Sequence, residues 1–91
     1  MIKYAVEFIG TFIFLSVILS QGEAIPIAVA LAAVIFFGGS ISGGHFNPAV
    51  SVMMNMNKVI SNNDTAAYIA AQLTGAAAAL YFYKASKQIS Q

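Results

Sequence analysis

The chain has 91 residues, of which 59% are hydrophobic and 8% charged, and its mean hydropathy is +0.81. Soluble domains carry about 25% charged residues, so this composition indicates a membrane protein, and the length allows one domain, residues 1–91. The net charge of +1, with four lysines and no arginine, excludes a basic nucleic-acid-binding surface. The absence of cysteine excludes disulfides and thiolate metal sites.

Two apolar stretches in the first half of the chain predict membrane-spanning helices. The first covers residues 3–20 and ends before Gly22, a suitable helix stop. The second covers residues 25–40 and starts at Pro26, since proline is tolerated in a first helical turn. Each is slightly shorter than the ~20 residues a spanning helix needs, and the second is expected to continue as extended chain through residues 41–44.

A polar, glycine-rich break at residues 42–50 then interrupts the hydrophobic sequence, within a loop and short helix expected over residues 41–57. Asn47 predicts a helix N-cap and Pro48 the first helical position. A helix from there to Asn57 would be roughly 15 Å long, which is half a bilayer. Irregular backbone at membrane depth is tolerated only where protein covers it or a water-filled cavity receives it. The segment therefore predicts a re-entrant loop and half-helix at a pore or binding site.

Residues 65–83 predict the third span, which is rich in alanine. Gly75 and Ala79 have the spacing of small residues that lets helix backbones approach closely in membranes. The alternative is that alanine is simply the best helix former. The predicted fold class is therefore all-α, with three transmembrane helices and one re-entrant half-helix.

Asn47 is the strongest candidate for chemistry. If its side-chain oxygen caps the half-helix, its NH2 group remains free as a fixed hydrogen-bond donor, and the helix N-terminus adds about half a positive charge. The carbonyls of Gly43, Gly44 and His45 would supply acceptors along the approach. Donors and acceptors in this order form a path for small neutral hydroxylic solutes. The alternative is that Asn-Pro is a common turn dipeptide.

Glu7 lies inside the first predicted span, where a charge costs at least ~2.5 kcal/mol near the centre. It is predicted to accept hydrogen bonds from the re-entrant loop, and Gln72 of the third span to brace the same loop. Alternatively, Glu7 lies near the interface and reaches water. His45 is a pH gate, a pore donor or a packed loop residue. One histidine and three scattered carboxylates predict no metal site, no cofactor and no enzyme activity.

Three segments resemble the first half of an aquaporin, a member of the major intrinsic protein family: residues 5–12, 42–50 and 68–75. The resemblance implies two such halves in inverted orientation, whose half-helices meet at two Asn-Pro-Ala motifs. It places Asn47, Pro48 and Ala49 at the pore centre and the carbonyls of residues 43–45 along it. It also implies that Glu7 and Gln72 brace the loop.

The chain corresponds to only one half of that fold, so a second copy inserted upside down is expected to complete the pore as an antiparallel homodimer. Lys3 and Lys58 belong to one side of the membrane and Lys84 and Lys87 to the other. The positive-inside rule then gives no preferred orientation. Such dimers are expected to assemble further into groups of four pores, as family members do.

The selectivity filter departs from the family pattern. Family members follow the second Asn-Pro-Ala with an arginine, whereas Val50 stands at the equivalent position here. The other filter positions fall at Ile27, Ile35 and Gly44. These residues imply a loose, apolar constriction that also admits glycerol, urea or ammonia.

The sequence therefore predicts a multi-pass integral membrane protein that forms a passive channel for water and small neutral solutes. Its expected partners are lipid, a second copy and the permeant solute, with no nucleic acid. One alternative is a half-channel that pairs with a different half-chain carrying the filter arginine. Others are a non-conducting membrane interaction protein and a proton-coupled exporter that uses Glu7.

Overall fold

The computed structural model of the protein describes residues 1–89, which fold into four α-helices without a strand in that range. These are α1 (Ile2–Gln21), α2 (Ala24–Ser42), α3 (Pro48–Met56) and α4 (Asn62–Ile89). The end of the predicted domain, residues 90 and 91, lies outside the described residues. The helices form an elongated body of 47 × 23 × 20 Å. Its long dimension is close to the ~40–45 Å thickness of a bilayer with its headgroups.

Two of the described helices, α1 and α2, are long and apolar enough to cross a membrane. α4 has 28 residues, which is ample length, but it carries Gln72, Thr74 and several tyrosines along its apolar stretch. It is not among the span candidates in the part of the chain described. The third predicted span, residues 65–83, therefore stays a prediction, although it falls within a continuous helix.

The end of α2 corrects one expectation. Residues 41 and 42 are helical, and Gly43 and Gly44 adopt left-handed conformations with φ of 93° and 68°. The extended conformation predicted for residues 41–44 is therefore wrong. Glycine reaches this region without steric penalty, and the Gly43 N–H donates to the Gly39 carbonyl at 2.8 Å, which closes the helix. The chain consequently reverses within two residues and enters α3.

α1 lies at the centre of the packing, in contact with both α2 and α4, while α3 packs against α4. The N-terminal ends of α1 and α4 lie together, because Lys3 pairs with Asp64. Gly75 allows close contact between these two helices: a Cβ atom there would lie 2.8 Å from the carbonyl oxygen of Phe8. This arrangement brings the buried carboxylate of α1, Glu7, opposite the loop between α2 and α3.

Candidate functional site

Asn47 caps α3 with an extended backbone (φ −161°, ψ 124°), and its Oδ1 accepts a hydrogen bond from the Ala49 N–H at 2.8 Å. Pro48 follows as the first helical residue, and Asn47 itself is exposed. Within the described residues the Nδ2 amide of Asn47 has no hydrogen-bond acceptor. The structure thus fixes the side chain by its oxygen and leaves its NH2 group free to donate.

Asn47 lines a groove of about 210 Å³, hereafter the pore groove. Three of the four filter candidates, Ile35, Gly44 and Val50, line the same groove. Ile27, the fourth candidate, is not among its lining residues. Its apolar wall is completed by Phe14 of α1 and Leu31 of α2, which were not among the predicted site residues. Leu31 and Ile35 are one helical turn apart, so helical spacing could have predicted from the sequence that they share a face of α2.

Acceptors are also available beside Asn47. Gly44 and His45 line the pore groove, and the carbonyl oxygens of residues 43–45 accept no hydrogen bond from the described residues. Gly43, the third predicted carbonyl residue, is not among the residues that line the groove. The groove therefore combines the donor of Asn47 with two residues whose carbonyl groups have no partner among the described residues, in an otherwise apolar lining.

Glu7 is fully buried and anchors the loop that carries Asn47. Its Oε2 accepts from the Ser42 hydroxyl at 2.8 Å and from the His45 N–H at 3.0 Å. Its Oε1 accepts from the Phe46 N–H at 2.8 Å and from the Gln72 side chain at 2.9 Å. The backbone of residues 45 and 46 is therefore bound directly to the second turn of α1.

Gln72 links this anchor to α3. Its Nε2 donates to Glu7 and also to the Ser51 hydroxyl, each at 2.9 Å. His45 Nδ1 lies 2.8 Å from the same Ser51 oxygen, and the His45 ring packs against Tyr68 with centroids 5.0 Å apart. His45 is 6% exposed, so its side chain is mainly a packed member of this network.

Three polar residues of the network were missed from the sequence: Ser42, Ser51 and Tyr68. The Tyr68 hydroxyl donates to the Ser42 carbonyl at 2.6 Å, which fixes the end of α2. Tyr68 lies one turn before Gln72, so helical spacing places it on the face of a recognised residue. That spacing was the available signal for Tyr68, whereas Ser51 follows an extended cap residue and had no such signal.

The described residues contain no group of three or more histidine, cysteine, aspartate or glutamate side chains that could hold a metal ion. The N-terminus of α3 lies beside the groove, and the helix dipole places about half a positive charge there.

Comparison with known proteins relates nearly the whole chain to one family. The sequence model described as "Major intrinsic protein" matches residues 4–90. Glycerol uptake facilitator protein-like 6 from Lactiplantibacillus plantarum is 42% identical over 83 residues, covering 81% of this chain and 38% of the facilitator. Human Aquaporin-9 is 34% identical over 85 residues, covering 77% of this chain and 29% of the aquaporin.

Aquaporin-2 from Dasypus novemcinctus is 39% identical over 84 residues, covering 79% of this chain and 77% of that sequence. The chain therefore spans well under half the length of the facilitator and of Aquaporin-9. No solved structure gives a significant match. Relatives of this kind are integral membrane channels for water and glycerol.

Proposed function

This chain belongs to the major intrinsic protein family, and we propose that it forms one half of a passive transmembrane channel for water and small neutral solutes. The observation that carries the proposal is the free NH2 group of Asn47, held in the pore groove at the N-terminus of α3. In this proposal α1, α2 and α4 span the membrane, and residues 43–56 form a re-entrant loop and half-helix.

The mechanism follows from the groove. A water molecule that gives up part of its hydration in the apolar section beside Phe14 and Leu31 regains a donor at Asn47 and acceptors at Gly44 and His45. The positive end of α3 repels cations and turns the oxygen of the solute toward Asn47. Neutral molecules therefore pass, and protons and metal cations are disfavoured.

The second half of the pore is proposed to come from an inverted copy of the same chain. Inverted repeats that meet near the bilayer midplane are a general architecture of transport proteins. Balanced lysines support insertion in both orientations, because Lys3 and Lys58 flank one end of the helices and Lys84 and Lys87 the other. A different half-chain that carries a filter arginine is the alternative source.

The proposed solute range includes glycerol, urea and ammonia as well as water. Val50, Ile35 and Gly44 surround the pore groove without a cationic side chain, so the constriction has neither a bulky charged group nor a second strong donor. The 42% identity with a glycerol uptake facilitator supports this breadth.

Stopped-flow light scattering on proteoliposomes that contain this chain alone tests the proposal. The wild type is expected to accelerate both water and glycerol equilibration. Asn47→Asp keeps an oxygen that can cap α3 but replaces the free donor with an acceptor and a negative charge, so water flow is expected to fall and cations to enter. Asn63→Asp introduces the same charge at an exposed position at the start of α4 and is expected to behave as wild type.

Two outcomes would contradict the proposal. If vesicles that contain the wild type have the same water permeability as empty liposomes, this chain alone does not form a channel. Equal effects of Asn47→Asp and Asn63→Asp would show that the donor of Asn47 has no special role. Recovery of flow only after a second, arginine-bearing half-chain is added would favour the alternative partner.

A further inference from the structure

Phe46 lies between two grooves of different character. The pore groove is one, and a second groove of about 200 Å³, the lateral groove, lies between α1 and α2. Phe46 lines both. The lateral groove is lined by apolar residues that include Ile9, Phe37 and Ile41, which are 52%, 77% and 46% exposed. It therefore opens to the surroundings of α1 and α2, the two helices apolar enough to cross a membrane.

The Phe46 ring occupies a slot made by two glycines. A Cβ atom on Gly10 would overlap the ring, at 2.6 Å from Cδ1, and one on Gly38 would lie 3.3 Å from Cζ. Any larger residue at Gly10 would displace the ring. Phe46 is only 2% exposed although it borders both grooves. The ring is thus enclosed edgewise between α1 and α2.

The backbone of Phe46 is held in a conformation that bulky residues avoid. Its φ is 53°, and the left-handed region costs roughly 1–2 kcal/mol for a residue with a Cβ. Its N–H donates to the buried carboxylate of Glu7 at 2.8 Å. Outliers of this kind persist only where the surroundings determine them, and they concentrate at functional sites. Glycine would adopt this conformation without strain, so the presence of an aromatic side chain here indicates that the ring itself has a role.

We propose that the Phe46 ring is the partition that separates the solute path from the hydrocarbon of the membrane, a role that rests on the proposed channel function. With the ring in its slot, the polar atoms of the pore groove are closed off from lipid on the α1–α2 side. Without the ring the two grooves merge, and an acyl chain from the lateral groove reaches the residues beside Asn47. Phe46 is a positioning and sealing residue for permeation.

Photolabelling from lipid tests this proposal directly. The chain is reconstituted in vesicles that contain a phospholipid with a diazirine on its acyl chain, irradiated, and mapped by mass spectrometry. In the wild type we expect label on Ile9, Phe37 and Ile41 and none on Leu31 or Val50. Phe46→Ala and Gly10→Ala displace the ring in two different ways, and both are expected to bring label onto Leu31 and Val50.

Two controls separate the partition from general loosening. Phe46→Leu keeps an apolar side chain in the slot, and Gly39→Ala adds a methyl group to α2 where the nearest atom is 3.8 Å away; both should give the wild-type pattern. If Phe46→Ala does not fold, Gly10→Ala retains the ring and still answers the question. Label on Val50 in the wild type, or its absence in every folded ring-displaced variant, would overturn the partition.

Stopped-flow measurements on the same vesicles keep the two proposals distinct. A shifted label pattern with no wild-type water flow would keep Phe46 as a partition between the two grooves but reject the channel, and with it the role of the ring in sealing a solute path. Wild-type flow with an unshifted pattern would do the reverse.

Discussion

Glu7 shows how a single charged residue is accommodated in an apolar helix. All four of its partners are donors: the Ser42 hydroxyl, the amides of His45 and Phe46, and the Gln72 side chain. A carboxylate accepts at both oxygens, so it satisfies this set completely. A proton-coupled exporter would need a carboxyl group that exchanges protons with water, and the complete enclosure of Glu7 argues against that alternative.

Substitution of Glu7 by glutamine is expected to loosen the loop even though the shape is nearly unchanged. Glutamine replaces one acceptor oxygen by an NH2 group. Whichever way the amide turns, the N–H of either His45 or Phe46 then faces another donor. A buried donor left without a partner costs about 1–3 kcal/mol. The unfolding temperature in detergent and the water permeability of proteoliposomes should both fall.

Glu23→Gln provides the matched control, because Glu23 is exposed in the connection between α1 and α2. It should leave stability and permeability unchanged. Wild-type behaviour of Glu7→Gln would mean that the loop is held by something other than this carboxylate.

The stability of the fold is expected to depend on pH through Asp64. Its carboxylate accepts from Lys3 Nζ at 2.8 Å and from the Tyr4 hydroxyl at 2.5 Å. The hydrogen bond from Lys3, followed by that from Tyr4, lowers the pKa of Asp64. A lowered folded-state pKa means that the stabilisation is complete above the unfolded value of about 3.9. It is lost as the pH falls through the folded-state pKa.

The measurement is the unfolding temperature in detergent between neutral and strongly acid pH, for the wild type and Asp64→Asn. The difference between the two curves should be constant at neutral pH and shrink in the acid range. The difference should also be small and decrease with salt, because both side chains of the pair are partly exposed to solvent. A difference that grows with acidification would contradict the assignment.

At the scale of the helices, close packing between α1 and α4 depends on Gly75. Gly75→Ala would place a methyl group 2.8 Å from the Phe8 carbonyl oxygen and 3.3 Å from the Phe12 nitrogen. Because both atoms belong to the α1 backbone, the helices must separate. Overpacking of this kind destabilises by roughly 1–3 kcal/mol. We therefore expect a lower unfolding temperature and weaker bonding between Gln72 and Glu7.

Gly39→Ala is the opposite case on α2. Its added methyl group meets only Ile35, at 3.8 Å, and alanine is favoured over glycine in a helix by roughly 0.5–1 kcal/mol. The two substitutions should therefore change the unfolding temperature in opposite directions. Equal effects would show that helix propensity, rather than backbone contact, determines the result at Gly75.

The helices also show where sequence reasoning succeeds and where it stops. Asn47-Pro48 has its own local signal, and α3 begins there. Gly43-Gly44 permits several backbone conformations, so its left-handed turn follows from the cap of α2 rather than from composition. Phe46, Ser42 and Ser51 are ordinary residue types, and their roles arise only when α1, α2 and α4 come together. Contacts of this long-range kind leave no periodic pattern to read.

At the scale of the whole molecule, the polar groups on one side of α3 are buried by the chain, whereas the N-terminal tip of α3 is exposed. Glu7, Gln72 and Ser51 are fully or almost fully buried, so the polar network behind α3 is closed by the chain itself. Asn47 and Ala49, in contrast, are exposed at the tip of α3. A tip with an unsatisfied donor cannot face lipid, which favours a second half-helix opposite it.

We predict that copies of the chain insert into the membrane in both orientations. The wild type contains no cysteine, so Asn63→Cys and Ser86→Cys each create a single reporter. Both positions are exposed and lie at opposite ends of α4, separated by roughly 35 Å at 1.5 Å per residue. If copies insert both ways, a membrane-impermeant maleimide added outside sealed vesicles should label about half of each variant.

A fixed orientation gives a different pattern: one reporter is labelled almost completely and the other only after the vesicles are permeabilised. A change in lysine balance provides a further test of insertion in both orientations. Replacing Ser86 by lysine shifts the positive-inside balance toward the end of α4 that carries Lys84 and Lys87. When Ser86→Lys is combined with Asn63→Cys, the fraction of protein labelled from outside the vesicles should differ from one half, because one orientation becomes more frequent. If water flow then falls in proportion to the minority orientation, the conducting unit requires two opposed copies.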